Sequence, residues 1–175
     1  HTVHEGVRDG GWPKPAGRSL GGKRLGVIGL GGIGRAVVRR AVVSGMEVIG
    51  SDPSPESQAA AVADGARVVD FDELMSTSDV ISVNCPLNAA THHLVNETSL
   101  ATVRRGSYLV NTGRGDVVET VALADALRSG QVAGAALDVL EEEPPGPDNP
   151  IRSAPNVIFG SHNGSNTLEA SARVH

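Results

Sequence analysis

The run Gly29-Leu30-Gly31-Gly32-Ile33-Gly34 is the most chemically suggestive part of the sequence. It follows the apolar stretch Leu25-Gly26-Val27-Ile28, opens a helix-like segment, and is answered by Asp52 at the end of the next β-branched run. In such a strand-loop-helix the first glycine, Gly29, allows the tight turn, Gly31 lets the backbone approach a pyrophosphate, and Gly34 lets helix pack on strand. Amides at the helix N-terminus then face the phosphates. Asp52 would accept hydrogen bonds from the adenosine ribose hydroxyls and repel a 2′-phosphate, and Pro53-Ser54-Pro55-Glu56 holds no Arg or Lys to receive one. The pattern therefore predicts NAD rather than NADP. A glycine turn serving packing alone is the competing reading, and strand, helix and acid together weigh against it.

Three further segments place polar residues at strand ends: Asn111-Thr112-Gly113-Arg114-Gly115, Leu137-Asp138 through Glu143-Pro144, and Gly160-Ser161-His162-Asn163-Gly164. Taken singly, Arg114 could be a surface-loop arginine, His162 a capping or packed histidine, and Glu143 one solvated acid beside Glu141 and Glu142. His92-His93 invites a metal reading, but neighbouring residues should point apart and no third ligand is evident, so a solvated loop pair is expected and no metal. Cys85, with no base beside it, is expected to line a cleft passively.

The elements that must position these groups are short apolar runs alternating with helical segments. Strands are expected at 25–28, 47–50, 67–69, 80–84, 108–111, 133–139 and 157–159, and helices near 33–44, 55–63, 72–76, 97–103 and 119–129. Gly45, Gly65, Gly106 and Gly130 occupy stop positions, and Asp70 with Glu73 fits a capping box. Apolar strands alternating with helices imply a doubly wound α/β fold, a Rossmann-type parallel sheet of about seven strands with helices on both faces. Ligands in such sheets bind beyond the carboxyl ends of the strands, where all four segments fall. Residues 1–22 read as an irregular lead-in anchored by Trp12, and 23–175 as the folded domain.

Composition narrows the function classes. The chain has 175 residues, 39% apolar and 20% charged, with 22 glycines and 10 prolines, enough for one well-buried core and short for two. Trp12, Phe71, Tyr108 and Phe159 are its only aromatic residues, so Val, Ala and Leu must build the core, and base-stacking platforms are not expected. A net charge of −5 without a basic block disfavours nucleic acid. The lone Cys85 fits a reducing compartment, no apolar run is long enough for a bilayer, and a soluble cytoplasmic protein is expected. A start at His1 and an end at Arg173-Val174-His175, inside what reads as a helix, suggest cut termini.

The combined pattern resembles the NAD-binding domain of the D-isomer-specific 2-hydroxyacid dehydrogenases. The resemblance runs from Gly11 to Arg173 and includes Leu20-Gly21-Gly22-Lys23, the glycine loop, Ser51-Asp52-Pro53, Cys85-Pro86-Leu87, Asn111 to Asp116, Asp138 to Pro144, and His162 followed by Thr167-Leu168-Glu169. It implies that Arg114 binds the carboxylate and carbonyl of a small 2-hydroxy or 2-oxo acid, that His162 gives and takes the proton, and that Glu143 partners His162. It implies cofactor contacts from Gly29, Gly31, Gly32, Ile33, Gly34 and Asp52, from Cys85, Pro86, Thr112 and Gly113, and from Asp138 and His162, with Asp138 meeting the nicotinamide carboxamide. The chemistry suits these types. Arginine offers a planar fork and a positive field for a developing alkoxide, histidine moves a proton near neutral pH, and a neighbouring carboxylate favours its charged form.

The resemblance further implies homodimerisation through this domain and a second, flavodoxin-like substrate domain absent from the chain, so that the fragment alone would bind NAD without turning over. Trp12 could serve the core or an oligomer contact. Three positions depart from the family pattern: Gly32 where a polar or basic side chain is common, Ser161 where proline often precedes the histidine, and Asn84 where histidine is frequent. Two alternatives stand beside the dehydrogenase: an NAD-sensing, corepressor-like binding protein, and formate dehydrogenase, whose relatives usually carry an amide at the position of Glu143.

Overall fold

The computed structural model describes residues 2–167, and the strands and helices expected between Lys23 and Phe159 take the expected type. Seven strands, β1 (Arg24–Ile28), β2 (Glu47–Ser51), β3 (Arg67–Val68), β4 (Val80–Val83), β5 (Ser107–Asn111), β6 (Val132–Leu137) and β7 (Val157–Phe159), form one sheet in the order β3-β2-β1-β4-β5-β6-β7. Every pairing is parallel, with Leu25 beside both Val48 and Val80 at the centre. The order reverses between β1 and β4, which opens a crevice at the carboxyl ends of those two strands.

Side chains alternate across the sheet, so β1 feeds two cores. Leu25 and Val27 pack with Val48, Val38, Ala41 and Ala61 beneath α2 (Gly32–Val43) and α3 (Pro55–Ala63). Ile28 faces the other way, toward Ile49, Leu74, Ile81, Val83, Leu109 and Leu123 beneath α4 (Phe71–Thr77), α5 (Glu97–Thr102) and α6 (Thr120–Arg128). Small aliphatic residues let these layers approach closely. A Cβ at Gly26 would lie 2.7 Å from Leu74 Cδ2, so β1 and α4 pack nearer than any larger residue permits. On the α2 face of β5 and β7, Tyr108 and Ile158 are exposed and line a shallow groove with Val110 and Ala136.

Four local expectations are corrected. The lead-in is not wholly irregular, because Thr2–Arg8 form helix α1; its polar Thr-Val-His-Glu run lacks the apolar period that signals a buried face. Trp12 is no core anchor, being 75% exposed. Asp70 caps α4 by accepting from the Glu73 N–H at 2.7 Å, but Glu73 pairs with Arg67 at 2.8 Å instead of closing the box. The complete capping box is at α5, between Asn96 and Ser99. Finally, the rings of His92 and His93 stack with centroids 4.0 Å apart, because His93 adopts φ +48 and the chain folds back there. Gly45, Gly65 and Gly130 directly follow helix C-caps as expected, and Gly106, also at positive φ, lies in the turn between α5 and β5. Leu168, Glu169 and the helix expected toward His175 lie outside the described residues.

Candidate functional site

The glycine loop divides into glycines the protein needs for itself and glycines that leave space. A Cβ on Gly34 would lie 1.9 Å from the Gly29 carbonyl oxygen, and one on Gly29, at φ +87, would lie 2.6 Å from the Cys85 nitrogen. Both positions are therefore closed by helix-on-strand and strand-on-strand packing. A Cβ on Gly31 or Gly32 would meet nothing within 4 Å. These two flank the start of α2, whose N-cap Gly31 supplies no side-chain cap and whose first turn holds no acid. Unpaired N–H groups at the positive end of a helix, facing open space, suit a pyrophosphate. Ile33 is 67% exposed on the same turn.

Asp52 stands just past β2 with its carboxylate fixed: Oδ2 accepts from the Leu30 N–H at 2.7 Å and Oδ1 from the Ser54 N–H at 2.8 Å. Each oxygen retains a further lone pair for a ribose hydroxyl. Across the crevice Cys85 is buried, and burial, with the Asp52 charge adding to it, pushes its thiol up. A protonated thiol lines a cleft and does not act as a nucleophile. Pro86 is exposed beside it, and Asn84 Nδ2 donates to Ser82 while its Oδ1 is buried without a partner.

The second half of the site is built by loops after β5, β6 and β7. Asn111, 1% exposed, ends β5 and clasps the next turn, its Oδ1 accepting from Gly113 N–H and its Nδ2 donating to the Arg114 carbonyl, both at 3.0 Å. Arg114 and Thr112 are thereby held exposed. The Arg114 guanidinium donates to the Gly113 carbonyl at 2.7 Å. Asp138 organises the loop after β7: its carboxylate accepts from Asn163 N–H at 3.2 Å and Gly164 N–H at 2.9 Å, and its carbonyl accepts from His162 N–H at 2.7 Å.

His162 adopts φ +54, a left-handed conformation that a side chain tolerates only when its surroundings hold it. Its Nδ1 lies 2.7 Å from Glu143 Oε2, and Glu143 Oε1 accepts from the Leu140 N–H at 2.9 Å. The His162 bond, then the Leu140 amide, hold the Glu143 carboxyl below the usual carboxylate range, so it is ionised at neutral pH. An Nδ1 committed to a carboxylate leaves Nε2 as the atom for proton exchange. The pair edges a cavity of about 230 Å³ with Asp138, Pro144, Pro145 and Ser161.

The structure thus brings Glu143, His162 and Asp138 together, and gathers Asp52, Cys85 and the glycines around the β1–β4 crevice. It does not bring the Arg114 guanidinium into contact with either of the first two. Each acid of the run has its own partners, although only Glu141 is partly buried: Glu141 bonds His93 and the Thr120 N–H, and the exposed Glu142 bonds Gly146 N–H and Asn149. The His93 ring is correspondingly paired and half-buried. Sequence reasoning assigned no role to Asn111, whose signal is a polar residue at the end of a buried strand, nor to Glu141, which its acidic neighbours disguise. Among the described residues, no cluster of three or more His, Cys, Asp or Glu could hold a metal ion, and no helix is long and apolar enough to cross a membrane.

Comparison with known proteins points the same way. A glyoxylate reductase of Thermofilum pendens is 38% identical over 174 residues, covering 96% of this chain and 51% of that protein. The D-lactate dehydrogenase of Aquifex aeolicus, solved with NAD and lactic acid, superposes with a TM-score of 0.90 at 30% identity, covering 99% of this chain and 57% of that one. An NAD-dependent formate dehydrogenase of Staphylococcus aureus, solved with NAD, gives 0.87 at 32% identity, covering 98% and 52%. The chain spans about half the length of these relatives. The D-isomer specific 2-hydroxyacid dehydrogenase NAD-binding domain matches residues 1–164, and the chain belongs to that family as its NAD-binding domain.

Proposed function

We propose that this chain is the cofactor half of an NAD-dependent dehydrogenase that interconverts a 2-hydroxy acid and a 2-oxo acid, with His162 and Glu143 as its acid/base pair and Arg114 as its substrate clamp. The observation that carries the reading is the Nδ1 contact of His162 to an ionised Glu143 at the mouth of a cavity. In oxidation, Nε2 of neutral His162 takes the substrate hydroxyl proton. The imidazolium that forms is stabilised by the Glu143 charge at 2.7 Å, and returning the proton to the carbonyl oxygen runs the reaction in reverse. Arg114, released from the Gly113 carbonyl, grips the substrate carboxylate and offsets charge on the reacting oxygen. NAD, when bound, takes or supplies the hydride. The amides after Gly31 would hold its pyrophosphate, Asp52 its adenosine ribose and Asp138 its nicotinamide end, and the Asp52 charge would favour NAD over NADP.

In this reading residues 1–22 are an interdomain segment, 23–175 the cofactor domain, and a flavodoxin-like domain supplied by a longer protein closes the site against water. The exposed Trp12, Val3 and Val7 offer apolar surface for homodimerisation. Formate oxidation is less well supported, because formate has no hydroxyl proton for a His-Glu pair to move. The test mixes the full-length protein with NADH and a panel of 2-oxo acids across pH. Oxidation of NADH with at least one of them is expected. Tight NADH binding without oxidation by any of them would replace the enzyme with the NAD-sensing alternative.

A further inference from the structure

We propose that His93 and Glu141 form a positioning pair that holds the Arg114 loop and the Glu143 loop in register, so that clamp and acid/base group meet one substrate. This rests on the roles given to Arg114, Glu143 and His162 above. The sequence set His93 aside as half of a solvated pair, yet it stands where three loops meet. Its N–H donates to the Asp116 carbonyl at 2.8 Å, and two residues on, Val95 N–H donates to Val117 O at 3.0 Å. The segment after β4 is thus laced to the residues that immediately follow Arg114. Through its ring, Nε2 of His93 bonds Glu141 Oε1, and Glu141 lies two residues before Glu143.

Both ends of this bridge are anchored. His93 is fixed at φ +48 with its carbonyl receiving Asn96 Nδ2 at 3.0 Å. Glu141 Oε2 accepts from Thr120 N–H at the start of α6. Against its partial burial, the Thr120 amide and His93 hold the Glu141 carboxyl below its ordinary value, so it presents a charge to the ring. At backbone level the two loops have no slack, since a Cβ on Gly115 would lie 1.9 Å from the Leu140 carbonyl oxygen. Leu140 is the residue whose N–H holds Glu143 Oε1. A displacement of Glu141 therefore reaches Leu140, and through it the orientation of Glu143 against His162.

The test compares His93→Ala, His93→Gln and Glu141→Gln. In this chain, the Glu143 carboxyl is titrated by carbon-13 NMR; in the full-length protein, kcat, substrate KM and the NADH dissociation constant are measured. His93→Ala is expected to raise the Glu143 midpoint by about half a unit or more. It should also lower kcat roughly tenfold or more, while NADH affinity stays within about twofold. His93→Gln, which places an amide donor near the position of Nε2, should recover most of both. A merely stabilising contact would move the melting temperature alone. If His93→Ala does not fold, Glu141→Gln supplies the same two readouts. Unchanged Glu143 titration and unchanged kcat in the folded variants would overturn the proposal. A wild-type protein that turns over no 2-oxo acid would refute the enzyme reading instead, and the Glu143 titration would still decide whether the pair positions Glu143.

Discussion

Replacing Gly31 and Gly34 separately by alanine should split cofactor binding from folding. At Gly34 the new methyl would sit 1.9 Å from the Gly29 carbonyl oxygen, with helix α2 on one side and β1 on the other, so helix and strand must separate. Overpacking a junction of this kind costs about 3 kcal/mol or more, a large share of a typical domain's stability. For a chain of this size that is a fall in Tm of about 6–12 °C. At Gly31 the backbone is extended, φ −69 and ψ −165, and the methyl would meet no protein atom within 4 Å. Its cost to folding is about 1 kcal/mol at most, that of a poorer N-cap. The methyl would instead occupy the space proposed for the pyrophosphate and push it from the α2 amides. Losing one charge-assisted hydrogen bond of about 1.5–3 kcal/mol weakens binding by about ten- to a hundredfold. Thermal melts followed by circular dichroism and NADH titrations by fluorescence give both numbers. Wild-type NADH affinity in a folded Gly31→Ala protein would refute this placement of the cofactor. A Gly31→Ala melting point as low as that of Gly34→Ala would refute the packing argument.

Asp52→Asn removes the charge and keeps one acceptor oxygen for the two amides of Leu30 and Ser54 that the carboxylate serves, so NADH should bind more weakly and its preference over NADPH should narrow; unchanged discrimination in paired titrations would remove Asp52 from the ribose site. Asn111→Ala strands the Gly113 N–H and the Arg114 carbonyl in a partly buried turn, which should destabilise the domain by about 1–2 kcal/mol in urea denaturation, and in the full-length protein lower kcat more than NADH affinity. Glu143 is held below its ordinary 4.5 by His162 and the Leu140 amide. Its contribution to stability is therefore full above that value and is lost as pH falls through the lowered folded value. Urea midpoints measured between neutral pH and pH 3 should converge for wild type and Glu143→Gln at the acid end, and parallel curves would contradict the pairing.

The sheet was legible because β-branched runs closed by glycine alternate with helical segments, and because one motif carried strand, loop, helix and acid together. Boundaries shifted where a polar residue leaves the ladder, as at Asn84 and Asp138. Helix α1 was hidden by its polarity, and the sequence left Trp12 open between core and surface because size alone does not indicate burial; its exposure excludes the core. At the site, Glu143 and His162 could be matched by order along the chain, and the structure places their side chains in contact. Their supports could not be read that way. Glu141 looks like its neighbours until its bonds to His93 and Thr120 are seen, and the stacking of His92 on His93 depends on a backbone turn at φ +48 that adjacent histidines do not signal. Asp138 likewise reads as a ligand contact, while its carboxylate accepts from the amides of Asn163 and Gly164.

The central claim is hydride exchange at C2 of a 2-oxo acid with His162 moving the proton, and isotope transfer tests it most directly. The full-length protein is supplied with NADH deuterated at the transferring C4 position and with the 2-oxo acid that best supports NADH oxidation, and the product is read by NMR. Deuterium at C2 of the 2-hydroxy acid is predicted for the wild type, with transfer suppressed in His162→Ala at unchanged NADH affinity. Product without deuterium at C2, or full transfer in His162→Ala, would contradict the account.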